Sequence, residues 1–117
     1  MDNIENGRIT DVFFGIEDHG CMTLMITIEG EGWGCGYGGY QLLGKEGIGM
    51  YAIKKLLETF GEYDLKKLEG KVVRVKWLNN LASAGNKIIS IGDIIKDRWF
   101  DWESAFTEFK EKYHENI

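Results

Sequence analysis

The chain has 117 residues, 44% apolar and 13% aromatic, with no proline, and nineteen acids against fourteen bases leave a net charge of −5. This composition excludes a disordered chain, and the length suits one domain, residues 1–117, that buries roughly 65 to 70% of the surface its unfolded chain exposes. The acidic balance lacks the clustered Lys and Arg of a direct nucleic-acid binder, no apolar run reaches the ~18 residues of a membrane span, and the start MDNIENGRIT is too polar for a signal peptide.

Residues 8–16, RITDVFFGI, are rich in β-branched and aromatic types, and 21–29, CMTLMITIE, alternate with Met22, Leu24, Ile26 and Ile28 on one face. Both read as strands, and EDHG between them supplies turn chemistry, so the pair is expected as an antiparallel hairpin with His19 at its tip. From Lys45 to Phe60 the period changes. Met50, Ile53, Leu57 and Phe60 recur at helical steps and Gly61 follows as a stop. Gly49 in the first turns implies either a later start or close packing there.

Beyond LKKLEGK, the runs 72–79 and 87–95 read as two further strands joined by the loop LASAGN. Asp101 is placed to cap a last helix, with Glu103 in its first turn and Trp102, Phe106, Phe109 and Tyr113 as an aromatic face. The order β-β-β-α-β-β-α has no βαβ alternation. The expected fold is therefore α+β, a single curved antiparallel sheet of about five strands with two helices, with a small open barrel as its variant.

The stretch GEGWGCGYGGYQ, 30–41, holds six glycines. If it is extended, Gly32, Gly34, Gly36 and Gly38 share one face and Trp33, Cys35 and Tyr37 the other, so one face is bare backbone. Two explanations stay open. The glycines let a sheet bend sharply and receive the large aromatic side chains of the last helix, or Trp33, Tyr37 and Tyr40 hold a planar ligand whose phosphate meets Lys45 at the helix start. The nucleotide motifs themselves fail. Gly34, Gly36 and Gly39 satisfy G-x-G-x-x-G without the strand-to-helix junction it needs, and the P-loop-like run from Gly39 to Lys45 continues into Glu46, where Ser or Thr must hold magnesium.

Asp18, His19 and Cys21 form the one compact cluster of reactive types. Neighbours on a hairpin tip seldom meet the geometry of a nucleophile and its base, and paired metal-ligand spacings are lacking. No catalytic residue, metal or cofactor is expected, His114 reads as a solvated terminal residue, and Cys21 and Cys35 are expected as free thiols.

Five blocks, GIEDHG (15–20), GYGGYQL (36–42), GMYAIKKLLETFG (49–61), LEGKVVRVK (68–76) and IGDIIKDRWF (91–100), resemble a recurring family of small tailed-phage proteins. Asp93 stands where a histidine is common in that family, and the LASAGNK loop lacks a second one. The resemblance implies a phage protein acting in the host cytoplasm, a non-enzymatic binder that counters bacterial immunity, with anti-CRISPR inhibitors as the best-known class. Its implied partner is a host defence protein such as a Cas effector, with exposed carboxylates at Glu17, Asp18, Glu29 and Glu31 steering it to a basic channel. The competing expectation is an oligomer that sequesters a nucleotide second messenger along the glycine strand; a virion or packaging component is a third.

Overall fold

The computed structural model describes residues 3–17, 20–39, 47–81 and 84–113. Six strands form one antiparallel sheet in the order β3-β2-β1-β4-β5-β6: β1 (Ile4–Ile16), β2 (Met22–Gly30), β3 (Trp33–Gly39), β4 (Val72–Trp77), β5 (Ile88–Gly92) and β6 (Trp99–Phe100). Helix α1 (Ile48–Phe60) joins the two halves of the sheet in sequence, a 3-10 turn (Leu65–Leu68) precedes β4, and α2 (Trp102–Tyr113) ends the described chain. The α+β class, the antiparallel sheet and the two helices stand as expected. The sixth strand was not foreseen, because two residues carry no period and gain strand character only by pairing Ile91 with Phe100 and Gly92 with Trp99.

The first strand begins at Ile4, ahead of the expected Arg8, since Ile4 to Arg8 pair with Lys76 to Val72 across the sheet. A register shift between Ile9 and Asp11 marks a bulge at Thr10. One extra residue reverses the side-chain phase, so Ile9 and Val12 both reach the core instead of alternating away from each other. On β2 the alternation is unbroken, and Leu24, Ile26 and Ile28 are fully buried.

The sheet curls strongly. Tyr37 of β3, at one edge, shares its single hydroxyl proton between the carbonyls of Ile89 (3.3 Å) and Phe100 (3.4 Å) near the other edge, and Trp33 meets Trp77 edge to face at 5.0 Å. Into this concave side α1 sets Ala52, Ile53, Leu56 and Phe60, with Leu68, Val73, Val75, Ile91 and Phe100 completing the core. Met50, expected on the inward stripe, is 63% exposed; the stripe begins instead at buried Ile48 and Gly49. The helix starts at Ile48, after Gly47 at φ 93°, while Lys45 and Glu46 lie outside the described residues.

At its C-terminus α1 closes with a Schellman pair, Gly61 N–H to Glu58 O and Glu62 N–H to Leu57 O, with Gly61 at φ 67°. Asp101 caps α2 as expected, its carboxylate accepting from Ser104 N at 2.7 Å and from Ser104 Oγ at 2.9 Å. Buried Trp102, Ala105 and Phe109 fix that helix, and Tyr51 of α1 meets the Phe109 ring at 5.5 Å. Among the described residues, no helix is long and apolar enough to cross a membrane.

Candidate functional site

The glycine run folds as β3, and its phase is the expected one: Trp33, Cys35 and Tyr37 turn toward the core while Gly34 and Gly36 are exposed on the other face. Gly32 falls outside the strand, in the turn before it, at φ 80°. The aromatic side chains of α2 do not pack on this bare face, contrary to one expectation. Trp102 packs against the Tyr37 ring, at 6.4 Å, on the core side of the strand. The outer face serves neighbouring strands instead. A β-carbon on Gly36 would lie 2.9 Å from Met25 Sδ, and one on Gly38 would strike the carbonyl oxygen of Leu24 in the adjacent strand. The glycines that do receive rings are Gly7 and Gly30, beneath Trp33, Gly15, beneath Phe13, and Gly92, beneath Trp99.

Two shallow clefts border β3. One, of about 420 Å³, is lined by Gly32, Trp33, Gly34, Trp77 and Glu5 among others, and a Glu5 carboxylate oxygen accepts the Trp77 indole N–H at 2.9 Å. The Trp33 indole nitrogen is buried with no hydrogen-bond partner. The other, of about 340 Å³, lies between Gly36, Tyr37, Gly38, Ile89 and Trp102. Tyr37 itself is a core residue, 6% exposed, and burial followed by the nearby Asp101 charge pushes its hydroxyl well above the ordinary tyrosine range. Tyr40 and Lys45, expected beside the same ligand, lie outside the described residues, as do Asp18, His19 and His114.

The expected acidic residues are dispersed. Glu29 is exposed and sits opposite Arg8 in the β1–β2 ladder, and Glu31 is exposed in the turn between β2 and β3. Glu17 serves its own hairpin: its N–H donates to Cys21 O at 3.1 Å, and its carboxylate accepts Cys21 N–H at 3.4 Å. Gly20, at φ 80°, closes that turn. Cys21 and Cys35 are free thiols. Asp93 ties a turn, its Oδ2 accepting from Ile95 N (2.9 Å) and Lys96 N (2.7 Å). These N–H groups, with the Lys96 one first, hold its carboxyl below the usual range.

The most prominent surface feature was not singled out in the sequence. Strand β1 outruns its partner β4, which begins opposite Arg8, so its distal half pairs with β2 alone, itself backed by β3 as far as Leu24, and forms an open margin of the sheet, the arm. Phe13 (42% exposed), Phe14 (44%) and Ile16 (69%) all lie on this arm. Phe14 and Ile16 share the face of their cross-strand partners Leu24 and Met22, while Phe13 lies on the opposite face with Met25. The arm is thus apolar on both sides. The signal was present as VFFGI, but reading it as exposed required knowing where β4 begins.

The arm also has an open edge. Glu17 N–H turns toward β2, so by strand alternation the N–H groups of Val12, Phe14 and Ile16 turn away from it. Val12 N–H reaches Glu69 Oε2 at 3.2 Å, and just upstream Ile9 exchanges backbone bonds with Gly70 and Lys71. Beyond that point no strand among the described residues pairs with Phe14 or Ile16 on this side.

On α1 and α2, Tyr51, Glu108 and Lys55 form a surface cluster, with Lys55 Nζ 3.4 Å from Glu108. Partial burial first, then the Glu108 hydrogen bond and charge, push the Tyr51 hydroxyl up to about 12, while the Tyr51 hydrogen bond holds Glu108 low. This cluster joins the helices, and Lys55 and Glu108 also line a cleft of about 590 Å³ with Thr59, Trp99, Phe100 and Asp101. Among the described residues, no group of three or more His, Cys, Asp or Glu is placed to hold a metal ion. Comparison with protein-family models, with curated proteins and with solved structures finds no match to this chain.

Proposed function

We propose that this chain is a phage-encoded, non-enzymatic binding protein that counters bacterial immunity by docking on a host defence protein, in the manner of an anti-CRISPR inhibitor. The observation that carries the binding role is the arm, in which β1, paired there with β2 alone, holds Phe13, Phe14 and Ile16 in solvent. Large exposed aromatic residues on a paired strand supply apolar area at little entropic cost, as binding anchors do. The phage setting comes from the sequence resemblance, and the surplus of acids favours a basic target surface.

The test is to express the chain in bacteria that carry one defined CRISPR effector at a time and to measure plaque formation by a phage that effector targets. Rescue of plaquing by the wild type, and its loss in Phe14→Lys with an unchanged melting temperature, is the expected result. Rescue that persists in Phe13→Lys and Phe14→Lys removes the arm from the reading, and failure across a broad panel of effectors removes the CRISPR target.

A second reading, sequestration of a nucleotide signal, is favoured by the cleft in which Trp33, Trp77, Gly32 and Gly34 come together. Its test is thermal. A nucleotide at a hundred times its dissociation constant adds about 2.7 kcal/mol, a rise of roughly ten degrees in melting temperature, abolished in Trp33→Ala. A flat response across linear and cyclic nucleotides ends this reading for those tested.

A further inference from the structure

The geometry points to the mode of binding at the arm: the open edge of β1 at Phe14 and Ile16 accepts an extended segment of the partner as an added strand, and that segment is apolar in its centre and basic at its ends. This rests on the arm being the docking site and names the chemistry of what docks there.

The backbone supplies the first part of the argument. Phe14 and Ile16 turn their N–H and C=O groups away from β2, with no ladder on that side among the described residues. The groups lie in line with the start of β4, so an added strand continues the sheet past the point where the chain entering β4 veers off at Lys71, Gly70 and Glu69. Natural edges are blunted by lysine, proline or an inward charge, and residues 12–16, VFFGI, carry none of these. Phe14 and Ile16 on one face and Phe13 on the other then flank an incoming strand, giving alternate side chains on it an apolar contact above and below the sheet.

Charge selects the occupant. The apolar edge is bounded by negative charge at both ends, by Asp11 and Glu69 at one and by Glu17 at the other, where Glu69 also accepts the Val12 N–H and Glu17 the Cys21 N–H. A second copy of this chain is the obvious competitor, because edge strands pair readily with themselves. In the register that sets the two Phe14 residues opposite each other, such a pair places Asp11 of each copy against Glu17 of the other, and like charges placed directly opposite are destabilising. The same three carboxylates favour Lys or Arg at both ends of an incoming strand, and the net charge of −5 adds long-range attraction for it.

The probe is a labelled peptide of alternating Val and Thr with a lysine pair at each end, compared with the same peptide ending in glutamate pairs and with a lysine-ended version N-methylated at alternate amides. Fluorescence anisotropy measures binding to the full chain, and amide exchange by NMR locates it. The lysine-ended peptide is expected to bind and to slow exchange at Phe14 and Ile16. Glutamate ends or N-methylation are expected to weaken binding by roughly tenfold or more, as is Ile16→Pro, which removes an edge donor without touching the β2 ladder.

Equal binding of the three peptides, or protection that leaves Phe14 and Ile16 unchanged, overturns the proposal. So does a concentration-dependent dimer in sedimentation that protects these amides without peptide, since the occupant is then a second copy. The plaque assay separates this inference from the reading beneath it. Loss of rescue in Phe14→Lys with full rescue in a folded Ile16→Pro keeps the arm as the docking site and ends strand addition; full rescue in both variants ends both.

Discussion

Gly34 and Gly38 share one face of β3 and answer differently to a single methyl group. A β-carbon on Gly34 meets Glu29 Cγ at 3.5 Å, an ordinary contact, whereas on Gly38 it strikes the Leu24 carbonyl and comes within 3.0 Å of Met25 Cα, and backbone in a paired strand cannot step aside. Gly38→Ala is expected to cost about 2 kcal/mol or more and Gly34→Ala to be neutral or slightly stabilising, read from chemical denaturation. Tyr37 is constrained in another way. Tyr37→Phe keeps the buried ring and loses the long, shared hydroxyl bond, a cost of about 1 kcal/mol at neutral pH. Because the folded hydroxyl holds its proton more tightly than the unfolded one, its contribution is complete below the unfolded value of about 10 and is lost as pH rises beyond it. Alkaline unfolding curves of Tyr37→Phe should therefore be less steep with pH than those of the wild type.

At the scale of elements, the turn between β5 and β6 depends on the Asp93 carboxylate, and α1 depends on Gly61 for its end. Asp93 is depressed in the folded state, so its contribution is present above the unfolded value of about 4 and lost as pH falls through the lower folded one. Asp93→Asn is expected to lower neutral-pH stability by about 1 kcal/mol and to flatten the acid limb of the stability curve. Gly61→Ala forces a side chain to φ 67° at the Schellman position and should cost about 1 kcal/mol in a thermal melt. Asp101 and Gly61 were legible in the sequence because caps act on their own helix. The strand β6 was not, because Trp99 and Phe100 are extended only by virtue of their partner across the sheet.

At the scale of the whole molecule, stability is distributed unevenly: β1 pairs with β4 alone from Ile4 to Gly7, is held on both sides at Arg8 and Ile9, and pairs with β2 alone from Asp11 to Ile16. Native-state hydrogen exchange should show fast amides at Phe14 and Ile16 and slow, globally limited amides at the core positions Ile26 and Val75. Uniformly slow exchange along β1 would mean that the arm edge is covered. Phe14→Lys replaces a ring that is 44% exposed, so its effect on global stability should stay within about 0.5 kcal/mol, as for ordinary surface substitutions.

The sequence by itself determined the class of fold, the hairpin of β1 and β2, the Gly61 stop of α1, the Asp101 cap of α2, and the two-faced phase of the glycine strand. These follow from periods, turn residues and capping groups that act over a few residues. Only the tertiary structure decided which face of that strand meets the core, where Met50 lies relative to the inward stripe, and which glycines receive rings. The bulge at Thr10 and the late start of β4 belong to the same group, because register is a property of two strands at once and neither one carries it alone. The apolar run VFFGI reads as core when taken locally. Phe13, Phe14 and Ile16 are exposed where β1 runs past its neighbour, and this mismatch in length between two paired strands leaves an open edge.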